Sequence, residues 1–351
     1  MSELLCSMAV PRAGVGAGSA VIRRTPDDFR VSELLEPALS GDGEHFWIRL
    51  RKTGENTVFV AQRLAECAGV SPRQVGFAGR KDRHAVTTQW FSMQLPGKPD
   101  PDLSALPDSV EILQTGRHRR KLQVGYLQGN AFELVLRDFC GDAAQLNARL
   151  SDIALQGVPN YFGRQRFGRD GANLHQAHAW LTGGAKPRGR QQRNIWVSAA
   201  RSWVFNSVLA KRVEAGTWNT LIPGERVLLN GSLSHFEAEL IDDTLLSRLA
   251  QRDVHPSGPL WGRGGQLPTA AAGDLEQAVV AHCAPIPAAL EGLGLEAQRR
   301  ALRLFPDNLN WEWIDPSTLR LCFSLPAGCF ATTVLAECLD CMDVGAQESS
   351  E

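Results

Sequence analysis

Between residues 20 and 150 the apolar positions recur mainly at period two, in short runs separated by polar and glycine-containing breaks. In "HFWIRL" (His45 to Leu50), Phe46, Ile48 and Leu50 fall on one face, and "NAFELVLR" (Asn130 to Arg137) repeats the pattern with Phe132, Leu134 and Leu136. Between them the spacing changes to that of a helix from about Val58 to Cys67, with Val60, Leu64 and Cys67 inward. Asn56 or Thr57 stands as its cap and Gly69 as its stop. Strand, helix, strand, strand predicts an α+β domain with a mainly antiparallel sheet.

A second helix is predicted from Asp142 to about Leu155, ending at the Gly157-Val158-Pro159 break, where the composition shifts. "GGAKPRGRQQRN" reads as an exposed loop. "SAARSWVFNSVLAKRV" (Ser198 to Val213) returns to helical spacing, with Trp203, Val204, Ser207, Val208 and Lys211 at steps of three or four. From about Thr217 to Ala284 glycine, proline and short apolar runs dominate. "EAQRRALRLFP" (Glu296 to Pro306) is expected to be a helix ended by its proline. A strand from Leu319 to Leu325, a turn at Pro326 to Gly328 and a helix capped by Thr332 or Thr333 follow, and "GAQESSE" is expected to be a disordered tail.

With 351 residues, 43% of them hydrophobic and 21% charged, the chain has room for two soluble domains. No window approaches the roughly 18 uninterrupted apolar residues of a membrane span, and the first residues do not form a secretory signal. A cytoplasmic location is therefore expected. Only Cys338 and Cys341 of the eight cysteines form a CxxC pair, too few ligands for a zinc site, so reduced structural thiols are expected. The net charge of -1 conceals a local +10 between Val110 and Arg212, offset by -11 elsewhere. A basic middle with acidic flanks points to a polyanionic partner.

The chemistry concentrates in "GFAGRKDRHAVTTQWFS", Gly76 to Ser92. A short strand ends at Gly79 and another begins near Ala85, which leaves Arg80 to His84 in the connection. Asp82, flanked by Arg80, Lys81 and Arg83, is expected to be an anionic nucleophile or base, its charge favoured by its neighbours. The plainer reading makes it a turn cap among solvent-facing cations. Aromatics follow the basic clusters: Phe132 comes after "GRHRRK", and Tyr161, Phe162 and Phe167 are interleaved with Arg164, Arg166 and Arg169. Arginines on phosphates and rings under bases would suit RNA, whereas the plainer reading packs those rings into the core.

The Asp82 segment resembles the signature of the TruD family of tRNA pseudouridine synthases. "TPDDFRVSE", "GNAFELVLR", "VPNYFGRQRFG", "SAARSWVFN", "RRALRLFPDNL" and "LPAGCFATTVLAE" are similar to its other blocks, in the same order. The resemblance implies a catalytic α+β domain (residues 1–156 and 305–351) interrupted by an inserted α/β domain (157–304), with a basic cleft between them for RNA. It implies Asp82 as the catalytic aspartate and Phe29, Asn130, Phe132 and Phe330 as the lining of a uridine pocket. The implied reaction is isomerisation of uridine-13 in the D arm of tRNA, a rearrangement that gains no atom and requires no metal or cofactor. A monomer is expected, since the inserted domain supplies the cleft's second wall. From the residues alone two other classes stay open: an RNA-folding protein with the same basic surface, and a hydrolase with an aspartyl nucleophile.

Overall fold

The structure, a computed structural model, describes residues 10–345; Cys6 and the tail beyond Gly345 lie outside the described residues. The chain packs into two compact units. One contains Ala17–Asn147, Pro306–Ala331 and residues 339–345, and the other contains residues 10–16, Ala148–Phe305 and Thr332–Cys338. Among the described residues no helix is long and apolar enough to cross a membrane.

The first unit is built on a ten-stranded sheet. Its first seven strands are β1 (Gly18–Ile22), β2 (Phe29–Leu34), β3 (His45–Thr53), β4 (Val75–Phe77), β5 (Val86–Gln94), β6 (Val110–His118) and β7 (Gly129–Gly141); Asp307–Asp315, Thr318–Pro326 and Asp340–Asp343 complete it. Most pairings are antiparallel. The exceptions are β2 with β5 and β1 with Asp340–Asp343, which are parallel. β5 lies between β2 and β3 and is buried along almost its whole length, because both faces of the sheet are covered there. On one face Phe46, Ile48, Leu50, Phe91 and Met93 pack under the helix Thr57–Cys67 through Val60, Ala61 and Leu64. On the other, Trp47 and Trp90 pack with Leu35, Ala78 and Leu122, and each indole N–H donates to a backbone carbonyl, Arg120 and Leu35 respectively. The helix is capped as its sequence predicts: the Asn56 side chain accepts from the Val58 N–H at 2.9 Å.

The second unit wraps the helix Arg190–Glu214 with a four-stranded sheet ordered His235–Glu237, Arg226–Leu229, Val254–Leu260, Gln298–Ala301. Two expectations are corrected here. The predicted exposed loop ends at Gly189, and Arg190 to Asn194 already belong to the long helix. The segment expected to be a helix from Glu296 to Pro306 is strand instead, Gln298–Ala301 and Arg303–Leu304. Its arginines face inward: Arg299 pairs with the buried Glu276 at 2.9 Å, and Arg303 donates to the carbonyls of Leu249 and Val254. Counting those arginines as outside positions produces a false helical period. Val254–Leu260 is a strand despite Pro256 and Pro259, which is why the glycine and proline-rich stretch concealed it.

Candidate functional site

β4 runs antiparallel to β5, with Gly76 opposite Ser92 and Phe77 opposite Phe91, so the chain leaves the sheet at Phe77 and re-enters at Val86. Residues 78–85 form the connection. Ala78 and Ala85 are buried at its two ends, while Arg80, Asp82 and Arg83 are exposed. Gly76 is required for packing within the chain: a Cβ there would lie 2.2 Å from the Leu122 carbonyl oxygen.

The Asp82 carboxylate keeps 58% of its accessible surface, yet it is not free to wander. Arg23, one residue past β1, donates from Nη2 to Asp82 Oδ2 at 2.8 Å and from Nη1 to Asp343. The guanidinium carbon lies 3.7 Å from the centre of the Phe29 ring, so the cation is stacked as well as paired. Arg23 itself has φ +56°, a left-handed backbone that costs a non-glycine residue about 1 kcal/mol.

This changes the assignment of the cations. The cation that pairs with Asp82 is Arg23, 59 residues upstream, and not one of its sequence neighbours. Lys81 turns inward and pairs with Glu33 at 2.7 Å, both side chains almost wholly buried, while Glu33 also accepts from the Trp90 backbone N–H. Arg83 donates to the Gly54 carbonyl at 3.4 Å, and Arg80 is exposed. Sequence reasoning missed Arg23 because "VIRRTP" offers two adjacent arginines and nothing local distinguishes them; its partner Arg24 pairs with Asp138 instead.

The register of three strands assembles the aromatic residues. Phe132 on β7 lies opposite Val31 on β2 and Phe323 on Thr318–Pro326, and Asn130 lies opposite Glu33 and Leu325. Phe132 stacks on Phe323 at 5.4 Å and meets the edge of Phe29 at 6.4 Å. Phe29 is 2% exposed and supports Arg23 from below. Among the described residues Asn130 Oδ1 has no hydrogen-bond partner although it is buried, an acceptor held ready at a cost of about 1–3 kcal/mol. Phe330, four residues past the end of its strand, is half-buried.

In the second unit the arginine cluster divides. Arg164 and Arg169 are exposed on short 3-10 turns, whereas Arg166 donates to Ser198 and lies over the Phe162 ring. Burial first, then Arg300 nearby, lowers the Arg166 pKa. Tyr161, Phe162 and Phe167 are buried packing residues, with Phe162 bonded through its backbone to Asn206, so none offers a stacking surface. Lys186, Arg188 and Arg190 are exposed around the turn that precedes the long helix. The seven cysteines among the described residues are free thiols.

The sequence model of the family described as tRNA pseudouridine synthase D (TruD) matches residues 12–186 and 187–338. The chain is 49% identical to a tRNA pseudouridine synthase D of Nitrosococcus oceani, over 91% of this chain and 90% of that protein. It is 47% identical to a protein of the same name from Pseudomonas fluorescens, over 99% of each. Its fold is similar to the crystal structure of TruD from Methanosarcina mazei, with a TM-score of 0.74 at 21% identity, over 95% of this chain and 97% of that one.

Proposed function

The chain belongs to the tRNA pseudouridine synthase D family, and from that premise we propose that it isomerises uridine-13 in the D arm of tRNA to pseudouridine. Asp82 is the group that acts on the substrate. What carries this reading is the Asp82 carboxylate itself: more than half exposed, on a loop between two sheet strands, and oriented by one half-buried arginine at 2.8 Å.

The reaction breaks the bond between ribose C1′ and uracil N1, turns the base, and joins C1′ to C5. The proton on C5 is then released and N1 takes one up, so the product is an isomer of the substrate. Flipping the uridine out of folded RNA costs about a few kcal/mol, which stacking and hydrogen bonds at the site offset. Asp82 works at C1′ of the flipped nucleotide, as a carboxylate does at a glycosidic carbon. Asn130 Oδ1 is the unpaired acceptor that takes an N–H of the uracil ring, and Phe132 and Phe330 form the apolar wall, with Phe29 holding Arg23 behind them. Exposed Arg164, Arg169, Lys186, Arg188 and Arg190 supply phosphate contacts to the tRNA.

Tritium release from tRNA carrying 5-tritiated uridine tests the proposal. Wild-type protein is expected to release tritium, and Asp82→Asn to release none while binding the tRNA about as tightly; substantial turnover by Asp82→Asn overturns the assignment.

A further inference from the structure

Three fully buried polar side chains hold the inner edge of the loop that carries Asp82. Gln89 on β5 donates from Nε2 to the Gly79 carbonyl at 3.3 Å. Thr57, at the start of its helix, accepts from the Lys81 backbone N–H at 2.9 Å and passes its own hydroxyl proton to Gln89 Oε1 at 3.0 Å. Lys52, near the end of β3, donates from Nζ to the Asp82 carbonyl at 3.2 Å and to the Glu55 carbonyl at 2.6 Å. All three have 0% exposure. Three peptide groups of the loop, at 79, 81 and 82, are thus fastened to the scaffold through side chains that never meet solvent.

Lys52 is the anomaly among them. An ammonium with no exposed surface costs several kcal/mol unless it is paired and hydrogen-bonded, and Lys52 has carbonyls as its bonded partners rather than a carboxylate in contact. The charged groups around it are Asp82 and Glu55, which favour its charge, and Lys81, which opposes it; burial outweighs them and brings its pKa down to about 8. A methionine would fill the same volume without this cost. What the methionine lacks is a donor to the Asp82 carbonyl.

We propose that Lys52 is a positioning residue for Asp82, fixing the aspartate's backbone from inside while Arg23 fixes its carboxylate from outside, with Thr57 and Gln89 completing the hold. The proposal rests on the reading of Asp82 as the reacting group. Misplacement of such a group by about 1 Å costs on the order of 100-fold in rate.

The test measures single-turnover tritium release at saturating full-length protein, beside the Kd for the same tRNA. Lys52→Met is expected to lose about 100-fold in rate with Kd within about twofold of wild type. Thr57→Val, which removes both the acceptor for Lys81 and the donor to Gln89, is expected to lose rate in the same way, and Thr57→Ser to recover most of it. A folded Lys52→Met with the wild-type rate, or with a loss matched by its loss in Kd, overturns the proposal. If Lys52→Met does not fold, the two Thr57 variants decide by the same criteria. Asp82→Asn runs alongside: its activity would remove the premise, whereas inactive Asp82→Asn beside a fully active Lys52→Met removes only the role of Lys52.

Discussion

Arg23 Nη2 stands 2.8 Å from Asp82 Oδ2, and the same guanidinium binds Asp343 and lies over the Phe29 ring. Charge, direction and stacking therefore act on one cation. Arg23→Met removes all three and is expected to reduce single-turnover tritium release by about 10- to 100-fold, with tRNA affinity changed by less than threefold. Arg23→Lys keeps the charge without the planar fork, so its rate should fall between the two. Equal rates for Arg23→Met and wild type would show that the pairing has no part in turnover.

Lys81 and Glu33 form an ion pair that water does not reach. Lys81→Met leaves the Glu33 carboxylate buried and uncompensated, and about 3–5 kcal/mol of unfolding free energy should be lost in a urea titration. Replacing Glu33 by Gln in the same chain should recover most of that loss, because the amide oxygen still accepts from the Trp90 N–H. A phosphate-binding role for Lys81 predicts the opposite pattern, with stability unchanged and tRNA affinity reduced.

His255 is buried and neutral, accepting at Nδ1 from Arg303 Nε at 3.0 Å with Asn230 at its other nitrogen. Burial, then the Arg303 charge, lowers its pKa from 6.5 to about 4. The unfolded chain takes up a proton below pH 6.5 that the folded chain refuses until about pH 4. The stability associated with neutral His255 is therefore complete above pH 6.5 and is lost as pH falls toward 4, by about 3 kcal/mol in all. Compared with His255→Gln across that window, wild type should lose more stability on acidification; parallel curves would contradict this.

Exposed and engaged arginines should separate in salt titrations of tRNA binding. Arg164→Gln and Arg169→Gln are each expected to reduce the slope of log Kd against log salt by nearly one. Arg166→Gln should leave that slope nearly unchanged and instead lower the unfolding midpoint, since it strips a hydrogen bond from Ser198 and a cation from the Phe162 ring.

The parts of the molecule legible in the sequence are those whose determinants are local. Alternation identified β3 and β7, and a side-chain cap with three inward residues identified Thr57–Cys67 almost to the residue. The position of Asp82 in a loop between two strands was equally readable from its flanking glycines and apolar run. Partners were not. Arg23, Arg80, Lys81 and Arg83 are all candidates from the sequence, and which one pairs with Asp82 depends on where Glu33, Gly54 and Asp343 lie in space. The strands at Gln298–Ala301 and Val254–Leu260 were hidden for a related reason: buried arginines mimic a solvent face, and prolines mimic a break.

β1 has one further consequence, through its parallel partner Asp340–Asp343. Arg23 emerges early in synthesis, but the aspartate that anchors it emerges more than three hundred residues later. A nascent chain on the ribosome therefore carries Asp82 and Arg23 together long before it carries the aspartate that ties Arg23 to the sheet's late strand. The full set of contacts around Arg23 is complete only once residues 340–343 have been made.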